Sequence, residues 1–318
     1  MKNYLLVLLL FLSLSACGED SYESAKKPMY EDPIATDDEK TPTEDNKIPG
    51  PSSDDEEQHI TKVDFYMGQC SSSLSMQGAA LFGSTLFQFV NGNSEIHVYD
   101  IEKKEYLGTI KSKGNSNWHN NQAIFCQNYY EEGDEFPLLY VSQILSTQQT
   151  IQVWRVIRTT DLFDLQLVQE LQLPFDNDEN NLFHFNIVID NNNQYFWLYS
   201  RNRHTRLGQI SKWELPDPHF AKMTLVEEDM LERFPIDVIM QDAQGGYMIG
   251  QRIYFVQGVP GRTDLRMHIV NVNTQEVTTF NLCDYNFKVE PEGLCFYKGR
   301  FICTSNRGGI YEIYLNKY

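Results

Sequence analysis

The chain has 318 residues and a formal net charge of −18, with 26 Lys and Arg against 44 Asp and Glu. No basic stripe is available to displace phosphate counterions, which argues against a nucleic-acid partner. The length allows one large domain or a repeat array once the first 59 residues are set aside.

In chain order, Met1-Lys2 is positive and Tyr4 to Leu14 is almost wholly apolar. That is the order of a secretory signal, and the run is too short for a comfortable membrane span. It ends at Leu14-Ser15-Ala16-Cys17: a branched apolar residue, two small ones and a cysteine. This resembles the lipobox of bacterial lipoproteins. The resemblance implies a signal peptide over residues 1–16, cut before Cys17, and diacylglycerol on the Cys17 thiol. An ordinary signal with an incidental cysteine is the alternative. A membrane partner through several acyl chains would then be firm, at about 0.8 kcal/mol per buried CH₂. Gly18, Glu19 and Asp20 resemble the surface-export signal of lipoproteins from the Bacteroidota. The expected address is the outer membrane, at the cell surface or on its periplasmic face.

Residues 17–59 are the expected lipidated cysteine and tether. Gly18 to His59 carries 14 acidic residues against four basic ones, so it supplies −10 of the net −18. Rich in Asp, Glu, Pro, Ser and Thr, it lacks the apolar surface to offset its ordering entropy. Self-repulsion and proline favour an extended spacer that reaches at most roughly 140 Å.

Residues 60–318 are read as an all-β domain. FQFV, LLYVSQ, IQVWRVI, YFWLYS, RIYFVQ and FICTS are aromatic or β-branched runs bounded by Asn, Asp, Gly and Pro. VEEDMLERF, Val226 to Phe234, is the one segment with helical spacing. The runs recur in fours. QGAALFG from Gln77 leads the first unit, NQAIFCQ from Asn121 the second and FNIVID from Phe185 the third. QDAQGGYMIG from Gln241 leads the fourth and PEGLCFY from Pro291 the fifth. AKMTLVEE is taken as the fourth strand of unit three. A period of about 50 residues with four strands per unit is the layout of β-propeller blades. The fifth unit ends one strand short. HITKVDFYMG, His59 to Gly68, is spare and would close the ring beside Ile310 to Leu315. The expectation is a five-bladed β-propeller closed by an N-terminal strand, with an open β-sandwich as the competitor.

QGAALFG, HNNQAIFC and EPEGLCF resemble the blade openings of Bacteroidota β-propeller lipoproteins of unassigned function. EPEGL is also similar to the blade opening of lactonase-like and lyase-like propellers, a resemblance that implies a metal at the Glu.

If Cys17 is lipidated, Cys70, Cys126, Cys283, Cys295 and Cys303 remain. Cys295 and Cys303 flank a hairpin turn: a three-residue turn would set them opposite each other, a two-residue turn on opposite faces. Free buried thiols are expected for most, and no spacing suggests zinc. DNDEN, Asp176 to Asn180, fails as a calcium loop because Asn181 and Ile187 stand where Gly and Glu are required. No GxSxG nucleophile elbow and no sialidase Asp-box are present. Trp154, Trp197 and Trp213 lie in strand patterns and are expected between blades, whereas Trp118 in GNSNWHNN is the one expected at a ligand surface. His119 beside it is a candidate for proton transfer or for an ordinary loop hydrogen bond.

The inner strands of a propeller converge on one axis. Their openings are polar: Gln77, Asn121 with Gln122, Asn186, Gln241 with Asp242, and Glu290 with Glu292. Such a ring could bind a divalent cation, for which Asp242 and Glu292 are the metal candidates, or orient a polar ligand. The alternative is that these groups cap strands and hold channel water. Three functions fit: a binding module for a glycan, peptide or protein partner; a hydrolase or lyase using a metal or paired carboxylates; and an accessory subunit of an envelope complex.

Overall fold

The computed structural model describes residues 59–63, 76–91, 95–111, 122–142, 150–160, 162–175, 182–190, 192, 194–202, 204–238, 240, 243–258 and 264–315. They form a five-bladed β-propeller. Blade 1 is β2 (Met76–Phe82), β3 (Thr85–Val90), β4 (Glu95–Asp100) and β5 (Glu105–Lys111). Blade 2 is β6 (Gln122–Phe125), β7 (Leu139–Ser142), β8 (Thr150–Arg158) and β9 (Phe163–Gln172). Blade 4 is β15 (Ala243–Ile249), β16 (Arg252–Gln257), β17 (Arg266–Asn271) and β18 (Val277–Asn281). Blade 5 is β19 (Pro291–Tyr297), β20 (Arg300–Ser305) and β21 (Ile310–Tyr314), completed on its outside by β1 (His59–Val63). The closing strand pairs as expected, from His59 opposite Tyr314 to Val63 opposite Ile310.

Blade 3 departs from the expected order. It consists of β10 (Leu182–Asp190), β11 (Tyr195–Asn202), β12 (Gly208–Glu214) and β14 (Met230–Ile236). The segment read as its fourth strand instead contributes β13 (Lys222–Thr224), which joins blade 2 in parallel beside β9. Gln169 pins the excursion by donating from Nε2 to the carbonyls of Asp217 and Phe220, at 2.7 and 3.0 Å. The helical reading of Val226 to Phe234 is corrected at the same place. One 3₁₀ turn over Glu227–Asp229 leads into β14. A helix there would have had no core to face, since Val226 and Leu231 are exposed. As a strand, the segment buries Phe234 and Ile236 and leaves Arg233 and Pro235 outside. Proline is tolerated because β14 is an edge strand.

The core is divided among the seams between blades. One apolar cluster fills each: blades 1 and 2 around Phe87 and Phe125, blades 2 and 3 around Phe175 and Trp213, blades 3 and 4 around Tyr199 and Phe255. Blades 4 and 5 meet around Tyr254 and Phe301, and blades 5 and 1 around Leu86 and Ile302. Trp154, Trp197 and Trp213 all lie in such seams, as the strand pattern predicts. The β19–β20 turn has two residues, Lys298 and Gly299, both at positive φ (47° and 83°). It therefore places Cys295 and Cys303 on opposite faces, opposite Ile302 and Leu294 respectively. Both are free buried thiols, Cys126 is too, and Cys283 is partly buried. Cys17 and Cys70 lie outside the described residues.

Candidate functional site

The inner strands β2, β6, β10, β15 and β19 pack against one another in sequence around the axis, and β19 meets β2. Aligned by their pairing, β2, β15 and β19 open MQGA, AQGG and PEGL, β10 runs FHFN through its own bulge, and β6 opens QA without one. Gln77, Gln244 and Glu292 hold the same bulge position, Asn186 follows the bulge of β10 in the register of Ala79 and Gly246, and Gln122 opens β6; all five are buried, with exposures of 5, 6, 1, 0 and 0%. In four blades a β-bulge sits at or beside the buried polar residue, between Met76 and Ala79, Phe183 and Asn186, Ala243 and Gly246, and Pro291 and Gly293. A bulge re-aims the side chain it carries, and bulges gather at functional sites. Blade 2 has none here, and β6 pairs regularly with β7 from Gln122 to Phe125.

Small residues let the strands close up at this level. A Cβ on Gly245 would overlap the backbone nitrogen of Leu294, and one on Gly293 would stand 2.6 Å from that of Ala79. Blades 4, 5 and 1 therefore touch backbone to backbone, and their polar residues share one neighbourhood.

The hydrogen bonds fix the side-chain orientations. Gln122 Nε2 donates to the carbonyl of Gly246 at 2.6 Å and its Oε1 accepts from the Gly246 amide at 2.9 Å. Asn186 Nδ2 donates to the carbonyl of Ala243 at 2.8 Å, and Gln77 Nε2 to that of Met76 at 3.1 Å. Gln244 Nε2 reaches Glu290 Oε1 at 3.5 Å, and Asn306 Nδ2 donates to Glu290 Oε2 at 2.7 Å. Four oxygens remain without a donor: Gln77 Oε1, Asn186 Oδ1, Gln244 Oε1 and Glu292 Oε2. Burial pushes the Glu292 carboxyl well above the usual carboxylate range, and the charge and hydrogen bond of neighbouring Glu290 push it further. No basic side chain among the described residues offsets that charge.

Of the expected ring, Gln77, Gln122, Asn186 and Glu292 are buried at the inner-strand openings, and half-buried Glu290 hydrogen-bonds to Glu292. Trp118, His119, Asn121, Gln241 and Asp242 lie outside the described residues. The position in blade 4 that aligns with Gln77 and Glu292 is Gln244, which the polar openings read from sequence do not include. Its signal was the recurring pair Gln77-Gly78, Gln244-Gly245 and Glu292-Gly293. At the other ends of the inner strands is an aromatic cavity of about 230 Å³, lined by Phe82, Phe125, Tyr247, Phe296 and Tyr297. The two mouths of the channel thus differ in chemistry: one is lined by oxygens, the other by rings. Among the described residues no three His, Cys, Asp or Glu side chains cluster as a metal site.

No family model matches the chain, and no curated protein matches it in sequence. In structure it is similar to glutaminyl cyclase from Myxococcus xanthus, at 10% identity over 81% of this chain and 97% of that one, with a TM-score of 0.49. It is similar to a catalytically inactive virginiamycin B lyase from Staphylococcus aureus solved with quinupristin, at 10% identity over 81% and 100%, with a TM-score of 0.43. A chain of a nidogen/laminin complex matches at 10% identity over 72% of each chain, with a TM-score of 0.38.

Proposed function

We propose that this chain is a lipid-anchored envelope protein whose propeller binds a glycan, peptide or protein partner through a site at the polar mouth of its channel. The observation that carries the binding reading is the set of four donor-less buried oxygens on Gln77, Asn186, Gln244 and Glu292. A buried acceptor left unpaired costs about 1–3 kcal/mol, so four of them at the inner-strand openings call for something that pairs them. Anchoring rests on the Leu14-Ser15-Ala16-Cys17 motif, and the acidic tether would hold the propeller off the outer membrane of a Bacteroidota-like cell.

A glycosidase using two carboxylates needs them roughly 5–10 Å apart with substrate between. Glu290 and Glu292 hydrogen-bond to each other, which leaves no such gap. The binding reading is therefore preferred to one that pairs Glu290 with Glu292.

The test has two parts. Expressed in a bacterium that processes lipoproteins, the chain should take up labelled palmitate, and Cys17→Ser should abolish uptake; unchanged labelling in that variant would overturn the anchor. The purified mature protein should then retain members of a glycan and peptide panel, and Gln77→Leu should lose them. Retention that is indifferent to Gln77 and Gln244 would move the binding site elsewhere.

A further inference from the structure

The aromatic mouth of the channel is uncharged: none of the residues lining its cavity of about 230 Å³ carries a charge. Four blades wall it. Phe82 ends β2, Phe125 ends β6, Tyr247 lies on β15, and Phe296 and Tyr297 end β19. Register accounts for the space. Ala80, Tyr247 and Cys295 stand at the same level, two residues before the turns that lead into β3, β16 and β20. Blades 1 and 5 carry small side chains where blade 4 carries a tyrosine. Tyr247 packs against the cores of two seams, between blades 2 and 3 and between blades 4 and 5.

The wall on the blade 2 side is an insertion. Blades 1, 4 and 5 join their first two strands by two residues: Gly83-Ser84, Gly250-Gln251 and Lys298-Gly299. In blade 2 residues 126–138 separate β6 from β7, and the first two, Cys126 and Gln127, line the cavity. The loop is fixed in place. Arg155 donates to Asp134 Oδ1 from Nε at 3.1 Å and from Nη2 at 2.6 Å, and the Glu131 amide donates to Asp134 Oδ2 at 3.1 Å. Long ordered loops on a rigid scaffold are where ligand sites are built.

Most polar atoms of the wall are spent within the protein. The Cys126 thiol donates to the Asn128 carbonyl at 3.4 Å, and the Cys295 thiol to that of Ala79 at 3.6 Å. The Tyr297 hydroxyl bonds to Glu102 and Lys298. Just outside, Lys298 pairs with Glu102 and Arg300 with Glu312. Among the described residues this leaves the exposed Gln127 amide and the Tyr247 hydroxyl to meet a ligand. Burial pushes that hydroxyl up to about 12, which keeps it a neutral donor.

We propose that this mouth is a second ligand site, which takes one small neutral aromatic molecule carrying an oxygen acceptor, of the phenol or aryl ketone class. It goes beyond the polar-mouth reading and does not depend on it. Size sets the first limit. An apolar cavity of about 150 Å³ holds one benzene, whereas clefts for larger ligands run to about 300–1,000 Å³. The space here suits one ring with a short substituent. Charge sets the second: an ionic ligand would be desolvated with no partner in the wall. A sugar ring carries more hydroxyls than Tyr247 and Gln127 can pair. The rings themselves favour a third ring. Tyr247 and Phe296 stack at 6.0 Å and Phe82 tilts against Phe125 at 5.9 Å, the spacing at which aromatic groups gain from offset and edge-to-face contact.

The mature protein is titrated by ligand-observed NMR with p-cresol, acetophenone, toluene, cyclohexanol, benzoate and benzylammonium, with detergent alone as the blank. The first three should bind saturably at one site. Tyr247→Phe keeps the ring and removes the donor, so p-cresol and acetophenone should weaken about two- to tenfold and toluene should not change. Gln127→Trp sets a bulky ring over the rim at an exposed position that the fold does not use, and should weaken all three by about tenfold or more. Gln77→Leu, at the opposite mouth, should leave them unchanged. No saturable binding of p-cresol or acetophenone would overturn the proposal, as would affinities that are unchanged in both Tyr247→Phe and Gln127→Trp. Cyclohexanol held as tightly as p-cresol would overturn the aromatic class, and tighter binding of benzoate or benzylammonium the neutral one. Loss of p-cresol in Gln77→Leu would move the ring to the polar mouth and overturn the second site. Glycans or peptides retained while p-cresol is not would remove this site alone.

Discussion

Gln122 in blade 2 and Gly246 in blade 4 are joined by two hydrogen bonds although 124 residues and a whole blade separate them. The side chain crosses the channel and substitutes for a backbone partner: it gives a donor to the Gly246 carbonyl and an acceptor to its amide. Gln122→Ala would leave both groups buried and unpaired, at a cost of roughly 2–4 kcal/mol. Urea unfolding of the variant should show a lower midpoint with an unchanged slope. An equal midpoint would mean that the crossing contributes nothing.

The seam between blades 5 and 1 has the smallest apolar cluster of the five, with Ala79, Leu86, Tyr99, Cys295, Ile302 and Ile310 fully buried. Closure there depends on β1 as well. A chain beginning at Gln58 should melt like the full-length protein, because only residues before β1 are lost. A chain beginning at Ser71 loses β1, exposes the edge of β21, and should melt many degrees lower or aggregate. Identical melting of the two would show that closure does not need β1.

His268 is fully buried between Thr279 Oγ1 at 2.9 Å and Gln257 Oε1 at 3.0 Å. Burial, and then the charge of Arg266, push it down to about 4. The folded state therefore resists protonation that the unfolded chain accepts below about 6.5. Stability from this group is complete above pH 6.5 and is lost as pH falls toward 4, by roughly 3 kcal/mol in all. His268→Asn should flatten the stability profile over that window. A parent profile that is already flat there would contradict the assignment.

Cys295 and Cys303 are shielded in different seams, and burial pushes Cys295 up to about 12 and Cys303 higher still. Cys126 is pushed up to about 11, also by burial. Thiolate is the reactive form, so none of the three should alkylate readily in the native state. Among the described cysteines only Cys283, partly exposed, should be labelled quickly, and mass spectrometry after brief iodoacetamide treatment reads this directly. Rapid native labelling of Cys295 or Cys303 would mean that their seams open.

Much of the architecture was legible because its signals are local. Alternating apolar runs, turn residues such as Lys298-Gly299 and a four-strand period are each written within about 50 residues of sequence. The spare strand at His59 could be matched to the incomplete fifth blade by counting alone. The exchange at blade 3 could not. β13 pairs with β9 across about 50 residues and between blades, and a three-strand-plus-excursion path has the same local pattern as a plain fourth strand.

The site divides in the same way. Polar inner-strand openings belong to the sequence, and Gln77, Gln122, Asn186 and Glu292 follow from it. Which residue of a polar opening reaches the axis depends on register, and a shift of one residue turns a side chain to the other face. The bulge between Ala243 and Gly246 sets that register in blade 4 and selects Gln244. Likewise the donor-less state of four oxygens exists only once distant carbonyls, those of Ala243 and Gly246 among them, have claimed the amide donors. Strand propensity and repeat period act between neighbours along the chain, so sequence alone determined the propeller; hydrogen-bond satisfaction acts between groups that only closure brings together, so tertiary structure alone decided the site.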